Sequence, residues 1–133
     1  MDSNDNGKLV LRLMLGGMLL LHGAAKLFGG VDFIVPALQA RGLPGALAHL
    51  VYVGEVIAPL AIVFGVFTRL AAGIVVINML FAVWLMHMEQ LGEITQNGGW
   101  ALELQAFYLF SAIAIAIFGA GRFSLGGPTG RYN

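Results

Sequence analysis

A few polar residues are set in long apolar stretches of this sequence, and their types decide what chemistry is open to it. His22, Lys26, Glu55, His87 and Glu103 are titratable and could converge. Arg12, Arg69 and Asn78 are a second set in the same stretches. Glu55 is the pivotal one. It is the one charge between Tyr52 and Thr68, within the run VYVGEVIAPLAIVFGVFTR, and Pro59 follows it by one turn. An ionised carboxylate cannot face lipid without a large cost. It must face protein or a wet cavity, meet a cation, or take up a proton. Carboxylates and histidines held together in an apolar slot can bind a polar head group and exchange protons with it.

Each residue also has a plainer reading. Lys26 can snorkel to the interface, as can Arg12, and His87 can simply sit there. Asn78 can bond between helices. Glu103 can complement the dipole of a first helical turn. Glu55 is too deep to snorkel easily, so a structural ion pair and a proton carrier compete evenly for it. No HxxxH or ExxH pair exists, so no metal site is expected. Gly119-Ala120-Gly121 follows an apolar run and precedes no helix, so it is not a dinucleotide loop.

The elements that must position these residues follow from composition. Of 133 residues 59% are hydrophobic and 11% charged, with mean hydropathy +0.85. Soluble domains carry about 25% charged residues, so this is an integral membrane protein. Formal net charge is +0, so no nucleic-acid surface is implied. The absence of cysteine excludes thiol redox chemistry and disulfides made by this chain alone. The 19 glycines point to closely packed helices.

Residues 1–8 read as a polar, disordered tail. A membrane domain over 9–119 holds four spans near 9–28, 46–66, 70–88 and 100–118, and 120–133 is a Gly-rich tail. The fold class is an all-α four-transmembrane-helix bundle. Between the first two spans Asp32 is positioned to cap a short helix from Phe33 to Ala40, with Pro36 in its first turn and Arg41-Gly42 ending it. Its apolar face suits the membrane interface. The first span resembles a signal peptide, but Arg12 and Lys26 argue for its retention. Lys8, Arg12, Arg69, Arg122 and Arg131 fall on the side of the termini, and Lys26 and Arg41 on the other. That bias places both termini in the cytoplasm.

Helical geometry then sorts the polar positions. Arg12, Gly16, Gly23 and Lys26 lie within about 80° on one face of the first span, a stripe that must face other helices. Depth places His22, Lys26, Glu55, His87 and Glu103 in the outer half of the bundle. Arg12, Arg69 and Asn78 form an inner, structural set.

The chain resembles the DoxX family of small four-span bacterial inner-membrane proteins. The resemblance runs over Leu9–Leu125. It rests on Arg12, on His22-Gly23-Ala24-Ala25-Lys26-Leu27, on Arg41-Gly42-Leu43-Pro44 and on Glu55. It continues through Phe64-Gly65-Val66-Phe67-Thr68-Arg69-Leu70-Ala71-Ala72, Gly98-Gly99, Glu103 and Gly119-Ala120-Gly121-Arg122-Phe123-Ser124-Leu125. Gly126 departs from it, standing where relatives often carry an acid. The resemblance marks Arg12, Lys26, Glu55 and Arg69 as family-pattern positions. It implies a link to quinone-reducing membrane oxidoreductases. The chain would hold no cofactor of its own, a quinone could occupy the polar site, and a separate redox subunit would supply electrons. The alternative is a small permease or an assembly or anchoring factor. Expected partners are the lipid bilayer, the redox subunit and further copies of the chain.

Overall fold

The computed structural model describes residues 3–133. The described residues form five α-helices, namely α1 (Ser3–Gly29), α2 (Val35–Ala40), α3 (Ala58–Phe64), α4 (Thr68–Met86) and α5 (Glu103–Phe118). No strand forms among them; a lone bridge joins Ile94 and Trp100 across the loop before α5. Three helical stretches are long and apolar enough to cross a membrane: Ser3–Gly29, Gly45–Phe64 and Thr68–Met86. The apolar α5 has 16 residues, about 24 Å of rise.

The N-terminal expectation needs correcting. The chain is helical from Ser3, so most of the supposed disordered tail is the first turns of α1. Met1 and Asp2 lie outside the described residues. Asp5 accepts from the backbone N–H of Arg122, which ties this start to the C-terminal segment.

The second apolar stretch is not one regular α-helix. It opens as a 3₁₀ turn over Gly45–Leu50, widens into a π turn over Val53–Ile57, and becomes α-helical in α3. Pro59 gives the cause. It has no N–H to offer the carbonyl four residues back, which is that of Glu55. Ala58 bonds to the Val53 carbonyl instead, five residues back, and the turn widens.

The short helix expected after Asp32 is present in two parts, a 3₁₀ turn over Asp32–Ile34 and then α2, with Pro36 in the first turn and Gly42 at φ 74° just past its end. The Asp32 side chain makes no capping bond. Gly65 ends α3 in the left-handed region at φ 73°. A Cβ there would meet Arg12 Nη2 at 2.6 Å, so the position needs glycine for conformation and for space.

Two apolar clusters hold the fold. The larger joins Leu15 and Leu19 of α1, Ala58 and Ile62 of α3, Ala71, Ala72, Val75 and Met79 of α4, and Ala112 and Ile115 of α5. The smaller packs Val31, Ile34, Leu38 and Ala48 against Leu85 at the far end of α4. Arg41 clasps the same end, its guanidinium 4.3 Å from the centre of the Trp84 ring.

Candidate functional site

Lys26, in the last turn of α1, places Nζ 2.5 Å from Glu55 Oε1 in the π turn. The side chains are 20% and 8% exposed. Two features fix this geometry. The wide turn re-aims Glu55 toward α1. Gly23 then lets α1 approach so closely that a Cβ there would overlap the Glu55 carbonyl. Tyr52 adds a bond from its hydroxyl to the Lys26 carbonyl, at 3.2 Å.

The pair borders a cavity of about 470 Å³ between the Gly45–Ile57 stretch and α4. His87 and Asn78 also line it. The remaining walls are apolar. His87 Nδ1 is 2.9 Å from Gln90 Oε1. A carboxamide oxygen can only accept, so Nδ1 carries the hydrogen and a neutral ring has Nε2 free as an acceptor. A charge pair at the edge of an apolar slot can hold a polar head group while the slot holds what is attached to it.

Of the five residues expected to converge, Lys26, Glu55 and His87 share this cavity. His22 and Glu103 lie outside it. His22 is exposed on α1 and meets the Tyr108 ring edge-on at 5.7 Å. Glu103 is exposed in the first turn of α5, beside Gly99.

Asn78 requires a correction. Depth counting assigned it to the inner set with Arg12 and Arg69, yet it stands beside Glu55. Its side chain fills the space a Cβ on Gly54 would take, and it lines the cavity with the ion pair. Its Nδ2 is buried and has no hydrogen-bond partner. Gln105 Oε1 on α5 is buried in the same condition.

Arg12 and Arg69 do other work at the opposite end. Arg12 is 1% exposed and does not snorkel. It donates to the carbonyls of Ile62 and Val63 at the end of α3, and to those of Ala120 and Phe123 in the C-terminal segment, all at 2.8–2.9 Å. Arg69 donates to the carbonyls of Ala116, Ile117 and Phe118 at the end of α5. Each cation satisfies acceptors that a helix end leaves without intrahelical partners.

Sequence reasoning missed Asn133. Its buried side chain accepts from both the N–H and the hydroxyl of Thr68, at 2.9 and 2.8 Å, and so caps α4. The one available signal was Thr68 itself, a polar residue opening an apolar run.

The DoxX family model matches residues 7–88, which take in α1 from Gly7 onward, α2, α3 and α4, with Lys26, Glu55 and the cavity. The chain belongs to the DoxX family. It is also 30% identical over 119 residues to an uncharacterised protein of Haemophilus influenzae, covering 86% of this chain and 84% of that one. No solved structure matches. This DoxX protein is thus an all-α membrane protein, and the cavity with its ion pair lies wholly within the matched part.

Proposed function

We propose that this DoxX protein is the membrane subunit of a quinone-linked oxidoreductase, binding the quinone head at the Lys26–Glu55 pair. The observation that carries the reading is that pair, largely buried on the wall of an apolar cavity large enough for a small-molecule head. The residues suit the group. Lys26 has three donors and spends one on Glu55, so it can also donate to a quinone carbonyl. Glu55 holds the ammonium in place. His87 Nε2 can take a proton from water at the cavity rim and hand it inward, since a quinone that accepts two electrons also takes up two protons. A bound quinone would supply the two-electron acceptor, and a separate subunit would deliver the electrons.

The proposal includes a four-span arrangement in the bacterial inner membrane. In this reading α5, with the turn at 101–102 before it, is the fourth span, and α2 is the interfacial helix. The excess of basic residues on the side of the termini supports a cytoplasmic location for both. Reporter fusions near Gln96 and behind a linker after Asn133 test the orientation. An external C-terminus would reverse it.

Organic extraction of the purified protein followed by mass spectrometry tests the function. Quinone should be recovered in near-stoichiometric amount, and Lys26→Met should lose most of it. Recovery no higher than from an unrelated membrane protein purified in parallel would reject the reading.

A further inference from the structure

The cavity has an asymmetry in its walls. Its polar residues, Lys26, Glu55, Asn78 and His87, are all half-buried or buried. The lining side chains that are exposed are all large and apolar. Leu50 is 60% exposed, Ile77 68% and Phe81 40%, and Phe33 and Met86 share this character.

The lip therefore offers nothing to a hydrated solute and everything to a hydrocarbon chain. Ile77 and Phe81 stand one turn apart on α4 and form one edge; Leu50 forms the facing edge. The next stripe of α4, Ile74, Asn78 and Ala82, lies deeper in the wall. Polarity thus rises inward from the lip to the ion pair.

The end nearest the 89–99 loop is roofed. Val31, Ile34, Leu38 and Ala48 pack there on Leu85, and Arg41 holds Trp84. The floor is closed where Gly54 and Asn78 touch. The open direction is sideways, across a lip that hydrocarbon would cover in a bilayer.

We infer that the cavity is entered laterally from the bilayer, between the Gly45–Leu50 segment and α4, by a single-chain amphiphile whose head reaches Lys26–Glu55 and whose tail leaves past Ile77 and Phe81. This rests on the cavity being the head-group site but not on the head being a quinone. A long-tailed quinone is one member of the class, and a long-chain alcohol or ketone is another. The energetic logic is simple. The tail exchanges one apolar environment for another, so entry costs little, while the head gains donors and acceptors that hydrocarbon lacks.

The full-length protein in lipid nanodiscs tests this with two photoreactive probes. Both carry a diazirine midway along a decyl chain, and one ends in a benzoquinone, the other in a hydroxyl. Labelled peptides are mapped by mass spectrometry. The expected result is labelling concentrated at Leu50, Ile77 and Phe81. A bulky lip variant, Ile77→Trp, should leave thermal stability unchanged, because this side chain faces outward. It should lower the labelling at Leu50 and Phe81, because the indole fills the lip that the tail must cross.

Portal labelling by the alcohol but not the quinone would uphold lateral entry and remove the quinone. Quinone recovered with the purified protein, but with labels spread evenly over outward residues such as Phe107 and Phe110, would uphold the quinone and overturn lateral entry. Even labelling by both probes with no quinone recovered would overturn both.

Discussion

Gly23 of α1 lies flat against the backbone carbonyl of Glu55, with no room for a side chain between them. This contact explains why the ion pair can exist. It brings α1 near enough for Lys26, one turn further on, to reach the carboxylate. It also covers a carbonyl that Pro59 has left without its usual helical partner.

Any side chain at position 23 should therefore push α1 from the π turn. Gly23→Leu should cost more than the 1–3 kcal/mol typical of overpacking, because the obstacle is backbone. Gly16→Leu should cost less. A Cβ there first meets Val63 Cγ2 at 2.5 Å, a side chain that can rotate, although Pro59 O lies behind it at 3.0 Å. Thermal unfolding in detergent should rank the parent above Gly16→Leu, and that above Gly23→Leu. Equal stability of all three would mean that the helices do not pack through this stripe.

Arg12 should prove irreplaceable even by lysine. Its planar fork reaches four carbonyls in two separate segments, and a single ammonium cannot reproduce that reach. Losing two charge-assisted bonds at about 1.5 kcal/mol or more each gives a deficit of at least about 3 kcal/mol. Arg12→Lys should fall most of the way toward Arg12→Met in denaturation midpoint. A lysine variant with parental stability would contradict this.

How far the sequence could foretell this arrangement depended on who the partners are. Glu55 was legible as a charge that needs a partner at its depth, with Lys26 among the residues that could converge on it, and the structure supplies Lys26. The small-residue stripe was legible from its period. Arg12 and Arg69 were visible as inner, structural charges, but their acceptors are backbone carbonyls, and a carbonyl has no side-chain signature. That is why the sequence shows the C-terminal segment only as a Gly-rich tail. Asn78 was misplaced because depth was counted from helix ends; Gly54, next to Glu55, was the overlooked clue, since it makes the gap that Asn78 fills. The π turn could have been suspected from Pro59 standing four residues after Glu55.

The Asn133 cap should be measurable locally. Asn133→Ala removes the acceptor for the Thr68 N–H and hydroxyl, a loss of about 1 kcal/mol for an ordinary helix cap. Hydrogen exchange should accelerate in the first turn of α4, with little change at Val75 and beyond. Thr68→Val alone loses the hydroxyl bond but keeps the N–H bond, so it should give a smaller effect. Unaltered exchange at Thr68 in Asn133→Ala would show that the cap contributes nothing.

Glu55→Gln keeps the shape and removes the charge, leaving the Lys26 ammonium one-fifth exposed and without its counter-ion. Breaking a fully buried pair costs about 3–5 kcal/mol, and partial exposure of Lys26 should hold this case to the lower end of that range or below. Lys26→Met should cost a similar amount by stranding Glu55. The double variant strands neither, so it should regain much of the loss, and the coupling energy from the cycle should be clearly favourable to the pair. Ligand binding should separate from stability here. The double variant restores packing but offers no ammonium and no carboxylate, so it should fold and yet recover no quinone on extraction. A double variant that is stable and still loaded would assign head-group binding to His87 and Asn78. One no more stable than the worse single variant would show that the two charges are held independently, each by surroundings other than its neighbour.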